Sequence, residues 1–209
     1  MSTYNFPKIP GSGGLSLDEC RKLPSVTLQP AFGSRSNPLP HTTAALAARD
    51  DGLLVFMETA ETSLRAKCDT PNGQVHLDSC MEFFVTFDQP SGPEYLNFEV
   101  NALGCLHLKI GPDRYTRTPA EIPEGNPRRF FDIHVGITPG GWWLRYVIPY
   151  SFAQTHYPGF KTIETGSLAG NFYKCGDETD APHLGFWNPV VVEKPDFHRP
   201  DWFGTLVVG

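Results

Sequence analysis

The chain has 209 residues, enough for one domain with a full core, and 40% hydrophobic residues with 12% aromatics exclude a disordered polymer. Its formal charge of −6 (17 basic against 23 acidic residues) comes with no basic run or stripe, which argues against a nucleic-acid partner. No apolar stretch reaches membrane-spanning length, and the opening MSTYNFPKIPGSGG lacks the apolar centre of a signal peptide, so a cytoplasmic location is expected unless a leader has been removed.

The 20 Gly and 20 Pro predict many turns and few long helices. Residues 1–40 read as an arm packed on the domain or partly mobile, with one short helix near Leu17–Arg21 capped by Ser16. Residues 41–209 read as a single domain. Alternation starts at Ala44–Ala48. After the Asp50-Asp51-Gly52 turn it becomes a strand buried on both faces, with Leu53, Val55 and Met57 on one side and Leu54 and Phe56 on the other. Met81–Phe87, Leu96–Val100 and Leu106–Ile110 alternate in the same way, the first two joined by a turn at Gln89–Pro93. The clearest hairpin is Phe131–Ile137, Pro139-Gly140-Gly141, Trp142–Ile148, where the glycines supply positive φ. One helical turn at Ser151–His156, a strand near Leu168–Lys174 and a terminal strand at Gly204–Val208 complete the chain. The fold class is all-β, a two-sheet antiparallel sandwich with little helix.

Between Cys175 and Trp202 runs a long, proline-broken, aromatic-rich connection, and long loops on rigid scaffolds carry binding or chemistry. No phosphate-loop, dinucleotide, G-x-S-x-G or H-E-x-x-H signature occurs. Cys20, Cys68, Cys80, Cys105 and Cys175 are widely spaced without a C-x-x-C pair and read as free thiols, mostly buried. Three arrangements remain around the late loop. Cys175, Asp177, His183 and His198 are of the types that ligate zinc, although their spacing matches no standard site. Cys175 with His183 or His198 offers a nucleophile and base. Trp187 beside Asn188 offers an indole for the C–H face of a sugar with an amide for its hydroxyls. Core filling or loop bracing is the structural alternative for each.

Four blocks then occur in order: VHLDSCMEFFVTF (Val75–Phe87), YLNFEVNALG (Tyr95–Gly104), WWLRYVIPYS (Trp142–Ser151) and the closing GNFYKCGD…WNP…KPDFHRPDWFG. Together they resemble the family 9 carbohydrate-binding modules over about residues 40–209, in particular a family 9-like branch of bacterial proteins. That resemblance implies a sandwich that binds sugar non-catalytically, in the setting of carbohydrate catabolism. It implies aromatic rings that clamp a terminal sugar and polar side chains that hold its hydroxyls. Carried across, the acid of the clamp is Glu82 and the late-loop aromatic is Trp187. His76 stands where related sequences usually carry Trp or another larger aromatic.

The expected ligand set is Trp187, Asn188, Glu82, His76, Arg65, Lys174 and Asn171, with a sugar or short oligosaccharide as partner. Asn171, Lys174 and Asp177 serve equally as an internal polar network that fixes the loop. Six residues of straight strand span about 20 Å, so His76 and Glu82 share one site only if the chain turns before Ser79. Arg199 is a candidate partner for Glu82. No cofactor is required. Calcium enters through the resemblance alone, with Asp50, Asp51, Asp69 and Asp78 as candidates near loops. Two alternatives stand beside binding: a hydrolase pairing Glu82 with Asp177 or Asp201, and a haem-carrying sandwich using Met57 or Met81 with His107 or His134.

Overall fold

The computed structural model describes residues 1–32, 37–87, 94–123, 125–164 and 166–209. Its strands are β1 (Thr3–Phe6), β2 (Ser25–Thr27), β3 (Gln29–Pro30), β4 (Thr42–Ala48), β5 (Gly52–Thr59), β6 (Cys80–Thr86), β7 (Tyr95–Asn101), β8 (Leu106–Gly111), β9 (Thr118–Pro119), β10 (His134–Thr138), β11 (Gly141–Pro149), β12 (Ser167–Gly176), β13 (His183–Phe186) and β14 (Gly204–Val208). Among the described residues the larger sheet runs β1-β14-β12-β6-β7-β8-β9, and β13 followed by β3 extends it beside β12. The smaller sheet runs β10-β11-β5-β4-β2. Named strands pair antiparallel except β1 with β14. This is the expected two-sheet sandwich. The expected Gln89–Pro93 turn lies outside the described residues.

Period-two patterning explains the layers. Leu46, Val55, Met57, Leu144 and Tyr146 of the small sheet face Met81, Phe83, Phe98, Leu108 and Phe172 of the large one, and all lie in one core cluster. The opposite parity is buried too. Ala45, Ala47, Leu54 and Phe56 on the small sheet are covered by Leu15, Cys20 and Leu23. On the large sheet Cys80, Phe84, Tyr95 and Tyr173 are covered by Val190, Phe197 and Phe203 from the late connection. Both sheets are therefore covered on their outer faces by non-strand chain over part of their area.

The first forty residues supply strands to both sheets. Tyr4 and Phe6 alternate inward from β1, which lies along β14, and Lys8 then forms a parallel bridge to Ala48 of the small sheet. The Tyr4 hydroxyl accepts from Leu46 N at 2.9 Å and donates to Pro24 O at 2.6 Å, so the segment closes one seam of the sandwich. The helix α1 (Leu17–Cys20) carries the expected Ser16 cap, reciprocated by Glu19. Phe131 does not begin a strand as expected. Asn126 caps a helical turn, α2 (Pro127–Phe130), with proline in its first turn, and β10 starts only at His134. The β10–β11 hairpin needs glycine at 141, where φ is +144° and a Cβ would meet Thr59 O at 1.9 Å. A final helix, α3 (Tyr150–His156), follows β11 as expected.

Candidate functional site

Cross-strand register places three polar side chains in one row on the outer face of the large sheet. Glu82 of β6 lies opposite Glu99 of β7, which lies opposite His107 of β8. The late connection covers the neighbouring part of this face but leaves the row as the floor of a cavity of about 460 Å³. Its rim comes from four places: Asn72–Gln74 with His76, Asp177 just after β12, Arg114 and Arg117 after β8, and Pro195–His198. Phe32 and Leu184 add apolar wall.

His76 reaches this rim because the chain bends before Ser79. A 3-10 turn at Val75–Leu77 interrupts the extended path, and the turn is tied to the end of β12 by Asp177 N→His76 O at 3.2 Å and Glu178 N→Leu77 O at 3.0 Å. Asp78 anchors the same segment. Its carboxylate accepts from Cys68 N at 2.8 Å, Lys67 N at 2.9 Å and Asn101 Nδ2 at 2.9 Å, and it pairs with Arg65. Burial alone would raise the Asp78 pKa, but these donors outweigh it and hold it below the ordinary range. Asn72 extends the clamp, its side-chain oxygen accepting from Leu108 N at 2.8 Å.

The electrostatics follow from burial. Glu82 and Glu99 are 3% and 4% exposed. Burial, then the Glu99 carboxylate, push the Glu82 pKa well above the usual carboxylate range, and Arg117 offsets this only in part. Glu99 accepts from Asn97 Nδ2 at 2.7 Å and faces Arg117 Nη1 at 3.4 Å. The same Arg117 nitrogen donates to His198 Nδ1 at 2.9 Å, with the Tyr95 hydroxyl at 2.8 Å from that atom. Arginine is always a donor, so Nδ1 must accept and the ring proton sits on Nε2. Burial and Arg117 accordingly push the His198 pKa far down, and the ring stacks on Phe84 at 4.8 Å as a neutral aromatic. His107 Nδ1 lies 3.0 Å from Gly73 O and donates to it. His107 Nε2 and Arg117 Nε are both shielded from solvent and lack a partner among the described residues.

Of the expected ligand set, only Glu82 and His76 lie at this cavity. None of the four tryptophans lines it. Trp187 was expected as an open platform but is 9% exposed, in the core between the sheets. The reason is register: Phe186 pairs with Tyr173, so the next residue falls beside Phe172, whose side chain points inward. Its ring meets Phe172 at 5.9 Å and Tyr4 at 6.2 Å, both edge-on, and Gly204 makes room for it, since a Cβ there would lie 2.5 Å from the indole.

Asn171 and Asn188 are internal as well. Asn171 donates to Asn188 O at 2.8 Å and accepts from Asn188 N at 2.9 Å, while Asn188 Nδ2 donates to Trp202 O at 2.7 Å. Together they continue the sheet's hydrogen bonding where the ladder stops. Lys174 is fully buried on the inward parity, 2.9 Å from Glu61 Oε2, which also accepts from Trp142 Nε1 at 3.0 Å. Arg65 spans Asp78 and Glu178. Arg199 pairs with Asp201 at 3.7 Å and not with Glu82, whose nearby cation is Arg117.

The competing chemistries fare as follows. Burial and the Glu82 carboxylate raise the Cys175 pKa well above normal, the opposite of what a nucleophile needs. Cys175, Asp177 and His198 line the cavity, but His183 is bonded to Ala181 O at 2.8 Å and faces Glu61, so the zinc set does not converge. The calcium candidates are engaged otherwise. Asp50 and Asp51 accept from Gly11 N and Gly13 N, Asp78 is taken by Arg65 and three further donors, and Asp69 accepts from Thr70 Oγ1 at 3.3 Å. No three metal-ligating groups come together among the described residues. For haem, Met57 and Met81 point into the core, whereas His107 and His134 sit at the opposite parity of their sheets, so no nominated pair shares a face. Asp201 lies away from the cavity with an exposed side chain, while Asp177 shares it with Glu82.

Glu99 and Arg117 were not anticipated, and His107 was named only as a haem ligand. For Glu99 and His107 the available signal was a polar parity within β7 and β8, opposite the apolar parity of Leu96, Phe98, Val100, Leu106 and Leu108.

A two-sheet sandwich with a polar cavity on one outer face, part-walled by aromatic side chains, is the architecture of a ligand-binding module. The model of carbohydrate-binding family 9 matches residues 17–208, and the chain belongs to that family. No curated protein sequence matches it. Among solved structures, a candidate carbohydrate-binding protein from Bacteroides uniformis is 26% identical, with a TM-score of 0.78 over 99% of both chains. A family 9 module from Caldicellulosiruptor kristjanssonii solved with cellotriose shares 14% identity and a TM-score of 0.65 over 99% of this chain and 93% of that one. The glucose complex of a family 9 module from the same organism gives 13% and 0.67, over 100% and 96%. These last two speak to the fold. No helix among the described residues is long and apolar enough to cross a membrane.

Proposed function

We propose that this domain binds a sugar, without catalysis, in the cavity floored by Glu82, Glu99 and His107. One observation carries the placement. Glu82, Glu99, His107 and Arg117 bring carboxyl, imidazole and guanidinium groups together at one cavity that also has an apolar wall. A sugar hydroxyl both donates and accepts, so a polyol can meet groups of each kind. Glu82, whose pKa is raised by burial and by Glu99, adds a carboxyl to the floor. Phe32, Leu184 and Phe197 give an apolar wall for the C–H face. Phe197 is stacked on Tyr173 at 4.2 Å and is thereby held in place. Binding draws on side chains alone and calls for no cofactor. The family 9 modules solved with glucose and with cellotriose support a sugar as the ligand class.

Calorimetric titration with glucose, xylose and cellotriose tests this. His107→Phe keeps a planar ring and removes both ring nitrogens, and it should weaken whichever sugar binds by about tenfold. Unchanged affinity in both His107→Phe and Glu82→Ala would place the sugar elsewhere.

A further inference from the structure

We propose that a second sugar-binding subsite, built on Tyr115, adjoins the cavity and makes an oligosaccharide rather than a free monosaccharide the preferred ligand. The inference rests on the sugar reading of the first cavity and extends it.

A second concavity of about 450 Å³ lies beside the first and shares Arg114, Pro195 and Asp196 with it. Those three residues form a saddle between two hollows, and hydrogen bonds tie the saddle together. Arg114 holds Asp196 through Nε at 2.9 Å and Nη2 at 2.8 Å, and Asp196 also accepts from His198 N at 3.1 Å. His198 is in turn fixed by Arg117 and Phe84, so the saddle is connected to the floor of the first cavity.

Tyr115 lines the second hollow with 88% of its surface exposed. A lone exposed aromatic is unremarkable on a protein surface. This one differs in two respects. It sits next to a cavity floored by polar side chains, and its backbone is held: Asp113 Oδ1 accepts from Tyr115 N at 2.7 Å and Thr116 N at 2.9 Å. A preorganised turn presents the ring at little further cost in backbone entropy. Tyrosine offers a flat apolar face with a polar tip, the surface that suits a pyranose ring. Lys194 and Arg199 line the same hollow and can donate to its hydroxyls. A ligand with one ring over Glu82, Glu99 and His107 and the next over Tyr115 would cross the saddle. A monosaccharide fills only the first hollow.

The test compares glucose with cellotriose, and xylose with xylotriose, on the full chain by calorimetry. The trisaccharide should bind about fivefold to tenfold more tightly than its monosaccharide. Tyr115→Ala should erase that advantage and leave monosaccharide affinity unchanged, whereas Tyr115→Phe should retain it. As a surface substitution, Tyr115→Ala should fold normally. Equal affinity for mono- and trisaccharide in the wild type, or a trisaccharide advantage that survives Tyr115→Ala, overturns the second subsite and leaves the first intact. Absence of binding to all four sugars overturns both.

Discussion

Trp187 separates a core role from a platform role, and the two predict opposite results for one substitution. The indole is 9% exposed and packs edge-on against Phe172 and Tyr4, with the Gly204 backbone below it. Trp187→Ala removes this filling and loosens the attachment of β1 to the sandwich. Large aromatic-to-alanine changes in cores cost about 3–5 kcal/mol. At about 2–4 °C per kcal/mol for a domain of this size, the melting temperature should fall by about 6–20 °C. Urea denaturation followed by far-UV circular dichroism measures the loss, and calorimetry on the folded protein measures sugar affinity. Stability should drop while affinity stays within about twofold of wild type, because no tryptophan lines the cavity. Trp187→Phe, which retains an aromatic edge contact, provides a milder variant if the alanine form does not fold. The reasoning fails if Trp187→Ala melts within about 2 °C of wild type or if Trp187→Phe abolishes sugar binding without loss of stability.

The pH dependence should carry two opposed contributions. His198 is held below its ordinary pKa by burial and Arg117, so the unfolded chain protonates first and stability falls as pH drops below about 6.5, at up to about 1.4 kcal/mol per pH unit. His198→Gln should flatten that acid limb in urea midpoints measured across pH, and an unchanged slope would show that another group is responsible. Glu82 is raised by burial and Glu99, so its contribution is fully present below the unfolded carboxylate pKa and is lost as pH rises through the folded one. Glu82→Gln should therefore gain stability relative to wild type on the neutral side, and a loss there would mean that Glu82 is ionised and paired. Glu61→Gln should cost about 3–5 kcal/mol by leaving the buried Lys174 ammonium without its carboxylate. Adding Lys174→Met should recover much of that loss in a double-mutant cycle, and strictly additive effects would argue against the pair.

Strands were legible where alternation ran five residues or more between turn residues, and the hairpin at Gly141 announced itself through its glycines. The four sequence blocks also carried the family. What they did not carry was the identity of each layer's cover. In β7, Asn97, Glu99 and Asn101 alternate against Leu96, Phe98 and Val100, and such a pattern ordinarily means a solvent face. All seven residues of β7 are buried because the late connection and the rim segments lie over them. Non-local packing also decided β1: four residues in a proline-rich segment hold no strong period, and their partner β14 lies at the other end of the chain. Trp187 was misread for a related reason. A tryptophan flanked by glycine and proline looks like a loop residue, but the ladder of β12 and β13 carries the chain one residue further and turns the side chain inward.

The late connection therefore acts mainly as a cover whose edge defines the site. Val190, Phe197 and Phe203 seal the aromatic half of the outer face over Phe84, Tyr95 and Tyr173, and the seal ends at His198. Beyond it lie two carboxylates opposite one another on adjacent strands, an arrangement that disfavours folding when both are charged. Arg117 lies 3.4 Å from Glu99, while burial and the Glu99 charge raise the Glu82 pKa well above the ordinary carboxylate range and so favour its neutral form. On the proposed reading a neutral polyol meets that floor by giving and taking hydrogen bonds with no change of charge. The acids Glu82, Glu99 and Asp177 share the cavity with Lys109, Arg114 and Arg117, so neither sign of ligand charge is met by a uniform field, and an uncharged, hydroxyl-rich ligand suits such a mixed lining.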